Sequence, residues 1–231
     1  MGGSAAILVD YRVGLDYCQD LTKNHEIATQ VLKYCYKDGV EIDMRKDCWQ
    51  LLTSSISNLL GMYEYLRDNA TQLLKQSNTD PLDVYLESVI TQENLERYIT
   101  NDMRLLPSIE DLRKDVNKMG LQSFRAFADD QIETAQQGQS QLDLMINQRY
   151  HRGGHTPWLY ESSIKNQFNN DINTDILLDS YSWANKKGNS FSVLVTRSNS
   201  RIHTSKKKVS NSMIEPKFKI ASPEEIRKEI E

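Results

Sequence analysis

Two histidines four residues apart are the residues whose types and spacing most directly suggest chemistry. His151 and His155 occur in the segment YHRGGHTPW. Histidines at positions i and i+4 of a helix share one face, where both can bind a zinc ion. Paired glycines disfavour a helix, however, so the spacing does not by itself bring the imidazoles together. We therefore favour a hinge formed by Gly153, Gly154 and Pro157, and we expect no bound metal.

A run of cations is the second group with chemical potential. The segment 197–208 contains five Lys and Arg and no acidic residue: Arg197, Arg201, Lys206, Lys207 and Lys208. Side chains of this type bind phosphate groups, although no aromatic residue for stacking on bases lies among them. Because like charges repel, we expect an extended segment and favour a flexible, solvated arm. The alternatives are an arm that binds nucleic acid and one that lies on an acidic protein surface.

Motifs typical of common enzymes are absent from the sequence. There is no P-loop, no dinucleotide-binding pattern and no GxSxG.

The three cysteines, Cys18, Cys35 and Cys48, are far apart and form no CxxC pair, which indicates reduced thiols in a cytosol-like compartment. We expect a protein that is not an enzyme and needs no cofactor, with a metal-dependent enzyme near the two histidines as a third alternative.

A long apolar seam is the strongest structural signal. Its members are separated alternately by three and four residues, which keeps one face of a helix toward a partner. The pattern predicts a helix over about 44–76 that forms an interhelical or protein–protein interface. The seam consists of Trp49, Leu52, Ile56, Leu59, Tyr63, Leu66, Ala70 and Leu73.

Charge and composition divide the chain near the glycine pair. Residues 1–145 contain 14 Lys and Arg against 23 Asp and Glu, whereas 146–231 contain 14 against 9. We therefore expect an acidic helical domain over 1–150 and a basic, Asn- and Ser-rich arm over 151–231.

The predicted fold class is mainly α, with a long-helix bundle or coiled-coil region, a C-terminal extended arm and a small β element. In the arm, FSVLVTR (191–197) and RIHTS (201–205) predict the two strands of a hairpin, and KFKI (217–220) predicts a third strand. Ser222, Pro223 and Glu225 predict the start of a final helix.

These features favour a structural or adaptor subunit of a larger assembly, such as a virion or another particle or scaffold. Its partners would be other protein subunits, identical or different. The alternative is a nucleic-acid-binding protein that uses the basic segment. No apolar run is long enough to span a membrane and no secretory signal is evident, so we expect a cytoplasmic location or a particle assembled there, without membrane contact.

Overall fold

The computed structural model describes residues 5–19, 24–76, 81–98, 108–150, 158–169, 171–187, 191–210 and 218–230. Within these ranges the protein is mainly α, with two long helices and a small sheet of five strands. This confirms the predicted mainly α class with long helices and a small β element.

Helices and strands alternate along parts of the chain. The strands are β1 (Ala5–Val9), β2 (Glu41–Arg45), β3 (Gln148–Tyr150), β4 (Phe191–Val195) and β5 (Phe218–Ala221). The helices are α1 (Tyr11–Cys18), α2 (Asn24–Lys37), α3 (Lys46–Gln76), α4 (Pro81–Ser88), α5 (Gln92–Leu95), α6 (Ile109–Met119), α7 (Leu121–Met145), α8 (Trp158–Phe168), α9 (Ile172–Lys187), α10 (Arg201–Thr204), α11 (Lys206–Ser210) and α12 (Pro223–Ile230).

The chain divides into two compact units. The first comprises Met1–Leu52 and Ser140–Glu231, and the second comprises Thr53–Gln139. The divisions fall within α3 and within α7. These boundaries differ from the predicted ranges 1–150 and 151–231. The division of the chain into an acidic domain and a basic arm stays a prediction.

The first unit contains a parallel sheet with the strand order β3-β2-β1-β4-β5. Its central strand, β1, has the sequence AAILV, and the residues from Ala6 to Val9 are all buried. A continuous apolar strand of this kind is typical of a parallel sheet that is covered on both faces. Neither β1 nor β2 was predicted, because the apolar run AAILV is too short to distinguish a strand from part of a helix, and EIDMR has a charged residue at three of its five positions.

The C-terminal strands lie where the sequence predicts them, but their connection differs. β4 falls within 191–197 and β5 overlaps 217–220, and the two strands are parallel. The predicted hairpin is wrong because Arg201–Thr204 forms helix α10. Ser200 caps this helix, since its Oγ accepts the backbone N–H of His203 at 3.1 Å, and this bond favours a helix start over a second strand.

A close approach in the first unit fixes α1 against two other helical segments. A Cβ atom at Gly14 would lie 3.0 Å from Cδ2 of Leu52 and 3.2 Å from Cδ2 of Leu142. Glycine at this position therefore allows α1 to pack tightly, and α1 carries Asp10 at its start and Asp16 in its last turns.

The second unit has a core built from α3, α4 and α7. Ile56, Leu59, Tyr63 and Leu66 are each at most 1% exposed. The ring of Tyr63 meets that of Phe127 edge-on, with the centroids 6.1 Å apart. This part of the seam is therefore covered by the chain itself.

Among the described residues, no helix is both long enough and apolar enough to cross a membrane.

Placing a charge at Leu59 tests the burial of the seam. Leu59→Asp removes a buried side chain and puts an unpaired carboxylate in its place, so the free energy of unfolding should fall by at least about 3 kcal/mol. The control is Ser57→Asp on the exposed side of the same helix, which should change stability by less than about 0.5 kcal/mol. Urea unfolding followed by circular dichroism measures both. Equal, small losses would show that the seam is not a core.

Candidate functional site

The carboxyl edge of the parallel sheet is the place where a fold of this kind usually carries a ligand site. β2 and β3 lie on one side of β1, and β4 and β5 lie on the other. In open parallel sheets, ligands bind outside the carboxyl ends of the strands at the point where the strand order reverses. That point lies between β1 and β4, and the first residues beyond these strands are Asp10 and Thr196.

Asp10 is fully buried and is held by three donors. Its Oδ1 accepts the backbone N–H of Arg12 at 3.1 Å, which makes Asp10 the N-cap of α1. Its Oδ2 accepts the guanidinium of Arg12 at 3.0 Å and the hydroxyl of Thr196 at 2.6 Å. Thr196 Oγ1 lies 3.0 Å from Oγ of Ser200. The carboxylate thus has the opposite charge and the hydrogen bonds that a buried ion requires.

A second buried carboxylate joins α1 to the segment that follows β4. Asp16 is 1% exposed, and Arg197 binds both of its oxygens, with Nε at 2.7 Å and Nη2 at 2.5 Å. This is the planar two-bond geometry that arginine forms with a carboxylate. Arg197, which the sequence analysis assigned to polyanion binding, is therefore engaged inside the protein.

The third carboxylate, Asp43 of β2, faces α9. It is fully buried, and its Oδ2 accepts the indole N–H of Trp183 at 3.0 Å. The Trp183 ring stacks on Tyr150 of β3, with centroids 5.0 Å apart and planes inclined by 7°. The Tyr150 hydroxyl lies 2.9 Å from Oγ of Ser180, and burial raises the pKa of Tyr150 well above its ordinary value. These contacts fasten α9 to the sheet.

The fourth carboxylate forms an ion pair with the last residue of β2. Nε of Arg45 lies 2.7 Å from Oδ2 of Asp179, which is buried, and Nη2 of Arg45 lies 2.7 Å from Oδ2 of Asp47. Each of the four buried aspartates at or near the carboxyl edge therefore has a donor from the chain itself. Such an arrangement stabilises a fixed geometry.

The three cysteines are buried free thiols, as the sequence predicts. Burial raises the pKa of Cys18 to about 12. Burial, together with the negative charge of Asp10, raises the pKa of Cys48 to about 12, and burial with the charge of Asp38 raises the pKa of Cys35 to about 11. The thiols therefore remain protonated at neutral pH, which makes them poor nucleophiles and poor metal ligands.

The basic segment 197–208 is folded onto the first unit. After Arg197 the chain forms α10 and α11, and it buries Ile202 and Val209 at 0% and 2% exposure. The sequence analysis expects an extended arm here. The burial of Ile202 within the segment and of Val209 directly after it, together with ion pairs to carboxylates, offsets the repulsion among the cations.

Two further predicted polyanion-binding residues, besides Arg197, have anionic partners. Arg201 Nη1 lies 2.9 Å from Oδ2 of Asp171, and its guanidinium also donates to the carbonyl of Gln167 at 3.2 Å. Lys206 forms an ion pair with Glu225 of α12. Lys207 and Lys208 are exposed on α11.

Glu225 connects three parts of the structure. Its Oε2 accepts the backbone N–H of Ser222 at 3.0 Å and lies 3.0 Å from Nε2 of His203, and its Oε1 accepts from Lys206. Burial opposes ionisation, but the hydrogen bonds from Lys206, His203 and Ser222 outweigh it and lower the pKa of Glu225 to about 2. The carboxylate is therefore charged at neutral pH.

The predicted interface residues lie on α3 and differ in exposure. Trp49 and Leu73, at the two ends, are half-buried, and the guanidinium of Arg149 lies 4.3 Å from the ring of Trp49. The others are at most 1% exposed: Leu52, Ile56, Leu59, Tyr63 and Leu66. Little of the seam is thus available to another subunit.

The hinge and histidine predictions fall outside the described residues. These comprise Gly153, Gly154 and Pro157 for the hinge, and His151 and His155 for a metal site. Among the residues that the structure describes, no group of three or more His, Cys, Asp or Glu is arranged to hold a metal ion.

Sequence reasoning missed the buried aspartates. Asp10 had a usable signal, since it directly follows the apolar run AAILV and can cap the next helix. Asp16, Asp43 and Asp179 had no comparable signal, because a buried aspartate looks the same in sequence as one on a solvated face.

Comparison with known proteins yields no relative. No protein-family model matches the chain, and neither curated proteins nor solved structures show a significant match.

Removing the arginine of the buried pair should be costly. Arg197→Gln leaves Asp16 without its cation in a buried position, and we expect a loss of about 3–5 kcal/mol in the free energy of unfolding. Arg201→Gln is the control, because the Arg201–Asp171 pair is exposed and its loss should cost less than about 1 kcal/mol. Urea unfolding midpoints compare the two. A smaller loss for Arg197→Gln than for the control would contradict the structural role of Arg197.

Proposed function

We propose that this protein binds a polyanion, in the first place a nucleic-acid backbone, at the carboxyl edge of its parallel sheet. The observation that carries the proposal is the exposure of Lys207 and Lys208 on α11. The neighbouring Lys206 pairs with Glu225 of α12, the helix that follows the carboxyl end of β5, and the carboxyl ends of the strands are the usual ligand side of open parallel sheets.

Phosphate groups suit this surface better than bases do. Lysine ammonium groups act as point charges for phosphate, and the segment 197–208 contains no aromatic side chain on which a base could stack. Binding of this kind is electrostatic, depends little on sequence and weakens steeply with salt.

A binding role without catalysis is supported by the state of the polar groups. The four aspartates Asp10, Asp16, Asp43 and Asp179 are held by donors of the chain itself. The buried thiols have raised pKa values, as described above. A general base or nucleophile at this edge would first have to leave these interactions.

The lysines of α11 provide the test. In Lys207→Gln with Lys208→Gln, binding to a labelled random-sequence duplex should weaken, and the slope of log K against log salt should flatten by roughly one unit for each phosphate that the variant no longer neutralises. Lys219→Gln on β5 is the control and should leave the slope unchanged. Fluorescence anisotropy at several salt concentrations measures binding, and thermal unfolding verifies the fold. Equal slopes for all three proteins would overturn the proposal.

A second candidate function is that of a structural or adaptor subunit in a larger assembly. One observation favours it: the helical unit 53–139 is inserted between β2 and β3, and it contains 8 Lys and Arg against 14 Asp and Glu. Such an insertion offers an acidic surface to a basic protein partner or to a second copy.

Self-assembly of this kind would appear as a mass that depends on concentration and salt. Sedimentation equilibrium should then give values above the 26.7 kDa of one chain at low salt and a return toward one chain at high salt. If the mass equals that of one chain under all conditions, the protein does not assemble with itself. An assembly role would then require a different protein as the partner.

A further inference from the structure

The basic helix α11 is paired with an acidic residue of the same chain. Glu225 of α12 forms an ion pair with Lys206, the first of the three lysines. It also lies 3.0 Å from Nε2 of His203 on α10. One carboxylate therefore engages cationic or hydrogen-bonding groups on two short helices at once.

We propose that Glu225 is a built-in competitor of the polyanion, which occupies Lys206 in the free protein and gives it up when a phosphate binds. This inference rests on the polyanion-binding function proposed above. A carboxylate and a phosphate oxygen both accept hydrogen bonds from an ammonium group, so the two compete for the same donors. Binding then exchanges one ion pair for another.

The exposure of the pair permits this exchange. The side chain of Lys206 is 30% exposed and that of Glu225 is 38% exposed. An ion pair open to solvent contributes little to stability, so its loss does not unfold the protein. The buried pair of Arg197 and Asp16, by contrast, cannot be exchanged at low cost.

The anchoring of Glu225 keeps the competitor in place. Its Oε2 accepts the backbone N–H of Ser222, and its own N–H donates to Ser222 Oγ at 3.3 Å, which together form a capping box at the start of α12. The hydrogen bonds from Lys206, His203 and Ser222 lower the pKa of Glu225, so it competes as a full negative charge at neutral pH.

Arg201 is also paired with a carboxylate of the chain, but it depends less on that one partner than Lys206 does. Asp171 binds it at 2.9 Å, but Arg201 also donates to the carbonyl of Gln167 and lies 5.5 Å from the ring of Phe168. Removing the charge of Asp171 would leave these other contacts. Lys206 is therefore the cation whose availability depends most directly on one carboxylate.

The variant Glu225→Gln removes the charge and keeps the cap, because glutamine serves the capping box as glutamate does. Its affinity for the labelled random-sequence duplex should rise by roughly two- to fivefold, the amount that corresponds to an exposed ion pair. Glu229→Gln is the matched control. Glu229 lies on the same helix and pairs at 2.5 Å with Lys219, which is not on α11. The same change in total charge should there leave the affinity nearly unchanged.

A double variant assigns the gain to Lys206. In Glu225→Gln with Lys206→Gln, the increase should disappear, because the released cation is absent. Anisotropy titrations at one low salt concentration measure all four proteins, including the unmodified chain, and thermal unfolding verifies that each is folded.

The outcomes separate the two proposals. If the unmodified chain binds, if Lys207 and Lys208 are needed, and if Glu225→Gln binds no better, the polyanion function stands and the competitor is refuted. Equal gains for Glu225→Gln and Glu229→Gln would also refute it, since they would reflect net charge alone. No binding by any of these proteins would refute the polyanion function, and the competitor with it.

Discussion

The structure of the first unit depends on the neutralisation of a buried charge at Asp10. This carboxylate has no access to solvent and is held by Arg12 and Thr196. Asp10 directly follows β1 and begins α1, whereas Thr196 directly follows β4. The bond between them therefore joins the two strands at which the order of the sheet reverses. An uncompensated carboxylate in this position would cost several kcal/mol, so the local charge of Arg12 and the hydroxyl of Thr196 together stabilise its burial.

Because a buried carboxylate requires donors, some charged side chains are paired inside the fold, whereas others face solvent. Arg197 and Arg45 pair with the buried aspartates Asp16 and Asp179. The exposed lysines lie further along the chain, on α11. Charge at the centre of the sheet edge is thus paired inside the protein, whereas the lysines of α11 are exposed to solvent. Glu225 is intermediate in this respect: it forms an ion pair within the chain, with Lys206, but that pair is partly exposed to solvent.

The helices were the part of the fold that sequence reasoning could reach. The three-four spacing along 49–73 predicts a long helix over 44–76, and the structure has α3 over Lys46–Gln76. Ser222 precedes a helix as its capping pattern predicts. The same spacing could not reveal what covers the seam, since an apolar face looks alike whether it packs within the chain or against another subunit.

The sequence alone determined the helical class, the strands at 191–197 and 217–220, and the helix that follows Ser222, because each depends on local periodicity or on a cap within a few residues. The tertiary structure decided the parallel sheet, the burial of Asp16 with Arg197 and the folding of the basic segment. These depend on residues far apart in the chain, such as Asp10 and Thr196, which are separated by 186 positions. No local pattern records which distant donor will neutralise a given carboxylate, so only the folded chain shows which charges are buried in pairs and which are exposed to solvent.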